Sequence, residues 1–175
     1  MPTLYTIGHS NRTLEEFLTI LDAFAIQHVV DVRTVPKSLH VPWFNSKTLA
    51  ASLKKQKINY THMAKLGGLR HPVADSINMG WRNTGFRGFA DYMQAPEFFS
   101  ALKELNNIIK TRARVAIMCA EAVPWRCHRS LIADAEIVRG VKVLDIFNKT
   151  TSHPHKLTDF ACVNRNKRPI QIWYP

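Results

Sequence analysis

Cys119, Glu121, Cys127, His128 and Arg129 lie in one short stretch of the chain. Residues of these types can do chemistry together. A thiolate is a nucleophile and a soft metal ligand, an imidazole moves protons near neutral pH, and a guanidinium holds anionic oxygens. Residues 115–119 form a short apolar run, as a strand covered on both faces would. Leu131, Ile132, Ala135 and Val138 recur at helical spacing, and Gly140 supplies a stop. The stretch therefore reads as strand, short loop and helix. Cys119 and Glu121 fall at the carboxyl end of the strand, and Cys127, His128 and Arg129 in the first turn of the helix. Ligands of open α/β sheets bind in that crevice. A helix start also offers free N–H groups and a positive dipole end, which with the cationic neighbours would lower the pKa of the Cys127 thiol. On this reading Cys127 stands at a solvent-facing tip, and its replacement by Ser abolishes activity or ligand binding while sparing the fold.

Each feature also has a plainer reading. Cys119, taken alone, is a small hydrophobe closing a strand. The spacing between the two cysteines is too long for the Cys-x-x-Cys redox motif. Arg126 lies one residue too far from Cys119 for the Cys-x5-Arg loop of protein tyrosine phosphatases. Cys119, Cys127 and His128, with His9, have the donor types that suit zinc. Their spacing matches no common zinc module, so anion binding ranks above metal binding, no metal ligand is assigned and no cofactor is named.

The elements that must position these residues follow in order. Thr3–Ile7 reads as a strand ending in Gly8-His9-Ser10. Thr13 and Glu16 form a capping box ahead of a helix whose apolar face is Leu14, Phe17, Leu18, Leu21 and Phe24. His28–Arg33 is a second strand. Strand, helix and strand in this span make a right-handed βαβ unit, which brings His9, Asp31 and Arg33 to the edge that carries Cys119. The predicted cleft holds His9, Arg33, Cys119 and Arg129. His9 is open between a site role and a turn contact, and Arg33 between phosphate binding and an ion pair with Asp31.

Val35–Phe44 reads as a loop. Ser46 caps a helix to Lys55, and Ile58–His62 is a third strand. Residues 63–88 form a long irregular stretch in which Gly67-Gly68 is a tight turn. Phe89–Met93 is a short helical turn, Pro96 opens a helix, and Val141–Phe147 is a fifth strand. Trp81, Arg82, Phe86, Arg87 and Phe89 interleave aromatic and basic residues. They are either a stacking platform for bases or core cover with solvated arginines.

The Cys119, Glu121, Cys127, His128 and Arg129 block resembles the signature of a bacterial and archaeal family, domain of unknown function 488. Thr6-Ile7-Gly8-His9-Ser10, Asp31-Val32-Arg33, Pro36-Lys37-Ser38 and Leu66-Gly67-Gly68 look like the same family's earlier motifs in the same order, so the resemblance spans roughly residues 3 to 147. It implies a fold and a site more than a reaction. By it, Cys119, Glu121, Cys127, His128 and His9 are the candidate catalytic residues. Ser10, Asp31, Arg33, Ser38, Gly67, Gly68 and Arg129 are the candidate substrate-binding ones. Family members often carry Arg after the Pro-x-Ser segment. Here that position is Leu39, and His40 is the candidate replacement.

The chain has 175 residues, 46% of them hydrophobic, which suits one globular domain and argues against disorder. Lys and Arg exceed Asp and Glu by 24 to 13, which favours an anionic partner. There is no basic-then-apolar leader, and no apolar run approaches the ~20 residues that span a bilayer. Three cysteines make no even disulfide framework. The expectation is a cytoplasmic protein that makes no membrane contact. Its fold is a single doubly wound α/β domain of about five mainly parallel strands over residues 1–148. A C-terminal extension over 149–175 packs on that domain, and Ile170–Tyr174 within it either adds an edge strand or packs on the surface. The leading function is an enzyme acting on a phosphate-bearing ligand, a nucleotide or nucleic acid. Arg33 and Arg129 hold its oxygens, and the histidines and thiols do the chemistry. The alternatives are a nucleic-acid-binding module without chemistry and a thiol-redox or metal-binding protein. Oligomeric state is left open.

Overall fold

A computed structural model describes residues 1–111 and 113–175. The chain runs β1 (Thr3–Gly8), α1 (Leu14–Ala23), β2 (His28–Asp31), α2 (Ser46–Lys55), β3 (Asn59–His62), α3 (Thr84–Tyr92), α4 (Pro96–Lys110), β4 (Val115–Cys119), α5 (Arg129–Ile137), β5 (Lys142–Asn148), β6 (Thr151–Pro154), β7 (Cys162–Asn164) and β8 (Gln171–Trp173). Six strands form one sheet in the order β3-β2-β4-β1-β5-β6. All neighbours are parallel except β5 and β6. The doubly wound α/β class expected from the sequence is what the chain adopts.

The alternation of β4 explains the two layers. Val115, Ile117 and Cys119 belong to a core with residues of α3, α4 and α5. Ala116 and Met118 belong to a second core with residues of α1 and α2. Successive strand residues point to opposite faces, so one fully buried strand serves both. That same alternation turns Cys119 toward α5. It also places β4 between β1 and β2, so the first βαβ unit spans an intervening strand. The most apolar strand takes the position where both faces are covered.

The local signals act largely as read. The Thr13 hydroxyl accepts the Glu16 N–H at 3.1 Å and caps α1. Gly140 ends α5 at φ +86°. Pro96 opens α4. Two details differ. Asn45, not Ser46, stands at the cap position of α2, and its side-chain oxygen takes the Ser38 N–H at 2.7 Å instead. Thr84–Tyr92 is a full helix, capped by Asn83 accepting from Phe86 N–H at 3.1 Å, where the sequence suggests a loop and one turn. Gly85 and Gly88 hide it by lowering helix propensity. Gly88 is there because a Cβ would stand 2.2 Å from the Arg70 carbonyl oxygen.

The last 27 residues do more than lie on the domain. Residues Thr151–Pro154 extend the sheet as its antiparallel edge, and β7 and β8 make a separate hairpin. Ile172 and Tyr174 are buried in the α3–α5 core.

Candidate functional site

The carboxyl ends of β1, β2 and β4 meet in register: Gly8 pairs with Cys119, and Asp31 with Met118. Gly8 has no side chain for a concrete reason, since a Cβ there would stand 1.6 Å from the Glu121 carbonyl oxygen. A cleft of about 660 Å³ opens over this edge, lined among others by His9, Ser10, Arg33, Ser38, Gly68, Cys119, Glu121, Cys127 and His128.

Its floor is the tightest group. After β4 the chain makes one 3-10 turn at Pro124–Arg126 and returns Cys127, whose N–H bonds the Pro124 carbonyl at 3.0 Å. Cys127 and His128 precede α5 and do not lie within its first turn, because the helix begins at Arg129. Cys127 is 3% exposed and belongs to the core, which corrects the solvent-facing tip expected from the sequence. The turn presses its side chain inward, against Cys119 and the start of α5. The sulfurs of Cys119 and Cys127 and a ring nitrogen of His128 all lie within 4.8 Å of one another.

The orientation of His128 follows from its partners. Nε2–H donates to the Val32 carbonyl at 2.9 Å. Val32 is where β2 leaves the ladder, so the imidazole takes the carbonyl a strand would have used. A neutral ring then leaves Nδ1 bare, 3.7 Å from Cys127 Sγ and 4.0 Å from Cys119 Sγ. Phe89 packs its ring against the imidazole at 5.1 Å. Gly68 leaves room for it, since a Cβ there would lie 2.5 Å from Nδ1. The tight turn expected at Gly67-Gly68 is thus a close approach to His128.

The neighbouring Cys127 side chain holds the Cys119 pKa far below its ordinary value, against the cost of burial and with help from the Glu121 backbone. Burial, and then the neighbouring Cys119 sulfur, pushes Cys127 well up. The Cys127 sulfur in turn accepts the Arg129 N–H at 3.4 Å. The direction is opposite to the lowered Cys127 pKa expected from the sequence, because burial and the neighbouring sulfur outweigh the Arg129 contacts.

His9 stacks on Phe44 at 4.5 Å. Its Nδ1–H donates to the Ser10 carbonyl at 2.8 Å, and Nε2 lies 3.3 Å from the Arg33 guanidinium. Burial lowers its pKa, and nearby Arg33 adds to the effect. Arg33 is held by Asp31 through two contacts, 2.9 and 2.6 Å, and by the Phe44 carbonyl at 2.7 Å. Asp31, wholly buried, also accepts the Tyr60 hydroxyl at 2.6 Å. The plain ion pair is what forms, with the edge of Arg33 still on the cleft wall.

Arg129 lies away from the cleft. It is 0% exposed, and its guanidinium donates to the carbonyls of Glu121 at 2.6 Å and Ala122 at 3.2 Å. It ties the loop after β4 to α5 and is absent from the cleft lining, as are Asp31 and Gly67. A helix start faces back toward the strand that feeds it, and here that turned a long cation into the core. Of the four residues predicted to share the cleft, His9, Arg33 and Cys119 do.

Lys37, His40 and Arg126 line the cleft and are exposed, and among the described residues none is held in an ion pair. Asn11 and Asn83 complete the polar lining. Sequence reasoning named Lys37 only within the Pro36-Lys37-Ser38 motif and Arg126 only to set aside a Cys-x5-Arg loop, and gave neither a role in binding. Asn83 carried no signal, because only folding of the 63–83 segment brings it to the cleft. Trp81 stacks on Phe86 at 4.9 Å and meets Phe160 and Tyr174 at 4.9 and 5.5 Å. Trp81 and Phe86 pack against the core, Phe86 also reaches the cleft, and Arg87 is half-buried with Nε donating to the Trp81 carbonyl at 3.0 Å.

Fold and cleft define a doubly wound α/β protein with a sulfur–imidazole floor at the carboxyl edge of its sheet. The chain belongs to the family described as domain of unknown function DUF488, whose model matches residues 13–136. The match includes the stretch from Cys119 to Arg129 and leaves His9, Ser10 and the C-terminal residues outside it. No curated protein and no solved structure matches the chain. No helix among the described residues is long and apolar enough to cross a membrane.

Proposed function

We propose that the protein is an enzyme acting on a phosphate-bearing ligand, a nucleotide or the end of a nucleic-acid strand. The observation that carries this reading is one cleft that joins exposed cations at its rim to a sulfur–imidazole floor. At about 660 Å³ it falls in the range of small-molecule sites. Lys37, Arg126 and His40 take the phosphate oxygens, the task that the sequence suggested for Arg33 and Arg129. Val35, Leu69 and Phe86 offer apolar wall for a base or similar group. The reacting part of the ligand meets Cys119, Cys127 and His128, and His9 is the second imidazole at the same edge. The net charge of +11 draws anions toward the cleft.

The test is capture from a mixture of nucleotides and short RNA at low salt, with the retained species identified by mass spectrometry. Retention should weaken as salt rises. The double replacement Lys37→Ala with Arg126→Ala should cost about tenfold or more in affinity, since hydrogen bonds to charged groups are worth roughly 1.5–3 kcal/mol. Failure to retain any nucleotide or oligomer at low salt removes the reading.

A further inference from the structure

We propose that Cys119, Cys127 and His128 bind one divalent cation of the zinc class, with its fourth coordination position turned to the cleft. This deepens the reading above, on which the cleft is a reaction site, by naming what meets the ligand there. Four observations carry it. The donors are two sulfurs and an imidazole nitrogen, the set that zinc prefers. Their mutual distances are near what one ion needs, with the two sulfurs within 4.8 Å of each other. With zinc–sulfur near 2.3 Å and zinc–nitrogen near 2.0–2.1 Å, donors on a tetrahedron stand roughly 3.5–3.8 Å apart. His128 Nδ1 is 3.7 Å from one sulfur and 4.0 Å from the other. The nitrogen that faces the sulfurs is the free one, because Nε2–H is committed to the Val32 carbonyl, as a histidine ligand is usually oriented. All three side chains line the cleft, so a fourth donor, water or a ligand oxygen, approaches from that side. Three protein ligands and one exchangeable position is the pattern of catalytic rather than structural zinc.

Binding is proton-balanced. Each thiol that still holds a proton releases it to solvent as its sulfur ligates, His128 gives its Nδ1 lone pair, and two thiolates with one divalent ion make a centre of zero net charge. The ion remains a Lewis acid whose fourth position an oxygen from the cleft would reach. The sequence spacing hid the site, because the ligands come from a strand end and from a turn that doubles back, with no short ligand pair of the zinc-finger kind.

The wild-type chain decides the matter without any variant. It is purified reduced, without chelators, and assayed for zinc by elemental analysis. Stripped protein is then titrated with cobalt(II). One ion per chain, and a cobalt spectrum with sulfur-to-metal charge transfer and tetrahedral d–d intensity, is the expected result. His128→Gln should weaken cobalt uptake at least tenfold while Cys119→Ser cuts the charge-transfer band by about half, since one sulfur ligand is left. His71→Gln, at an exposed residue outside the cleft, should leave both unchanged. Folded, reduced wild-type protein that takes up neither zinc nor cobalt overturns the proposal, as does an unaltered spectrum in Cys119→Ser. Nucleotide capture is run on the same preparations. Retention of nucleotide by a protein that takes up no metal sinks the metal centre and leaves the ligand reading standing. Metal uptake with no nucleotide retained does the opposite.

Discussion

His128 is held on two sides and given room on a third: Val32 holds one nitrogen, Phe89 covers the ring, and Gly68, lacking a side chain, leaves space beside the other nitrogen. Gly68 is the residue on which this arrangement is most exposed to mutation. In Gly68→Ala the new methyl would stand 2.5 Å from Nδ1, closer than any real contact, so the ring or the 67–69 turn must move. Overpacking of this kind costs roughly 1–3 kcal/mol, and moving a ligand's support typically costs about 10–100-fold in binding. The expected outcome is a melting temperature lower by a few degrees together with loss of nucleotide capture and cobalt uptake. Unchanged capture would mean that His128 takes no part in the site.

At the scale of elements, the turn between β4 and α5 determines what Cys127 can do. It lies inside the core beside the first N–H of the helix, so Cys127→Ser should not spare the fold. The hydroxyl is smaller than the sulfur and would leave the Arg129 N–H a longer bond. A buried hydroxyl that lacks a good partner costs ~1–3 kcal/mol. For a chain of this length each kcal/mol lowers the melting temperature by about 2–4 °C. Thermal unfolding of the variant should therefore show a clear drop alongside lost metal uptake. A melting temperature equal to wild type would show that the turn tolerates the change and that the burial matters little.

For the molecule as a whole, the C-terminal residues are locked to the sheet by charge. His155 lies between Asp134 and Asp145, 2.9 Å from each. Thr158 and Tyr174 donate to Asp134 at 2.7 and 2.8 Å, and Thr6 donates to Asp145 at 2.6 Å. Burial opposes the His155 charge, but the two carboxylates outweigh it and raise the pKa to about 9 from 6.5. A folded-state pKa above the unfolded one stabilises fully below the unfolded value and is lost as pH rises through the folded one. The contribution of His155 should thus decline between about pH 6.5 and 9, by roughly 3 kcal/mol at most. Cys119 and Glu136 are also shifted, so the measurement is the difference: His155→Gln should be less stable than wild type at about pH 6, and the gap should close by about pH 9 in chemical unfolding. A gap that does not change across that window would mean that this imidazole is neutral in the fold. Removing residues 149–175 would leave Asp134, which is 0% exposed in the fold, without these donors, so the domain is not expected to persist without them.

Local patterns alone determined the sheet and its helices, the helix Thr84–Tyr92 and the edge strand Thr151–Pro154 excepted, and the edge at which chemistry is placed. The apolar run 115–119, the capping box at Thr13 and the stop at Gly140 depend on neighbours a few residues away, and such signals survive in a bare sequence. They were enough to bring His9, Arg33 and Cys119 to one cleft. What each side chain does there depends on groups far along the chain. The partners of Arg129 are loop carbonyls that exist only once the chain after β4 has turned back. The free nitrogen of His128 is set by Val32, and its room by Gly68, neither of which is near it in sequence. Asp134 and Asp145 find their countercharge in His155 only because β6 folds back on β5. Tertiary structure decided which cations are consumed by the protein itself and which are left for a ligand, because a long basic side chain takes whichever acceptor folding brings within reach.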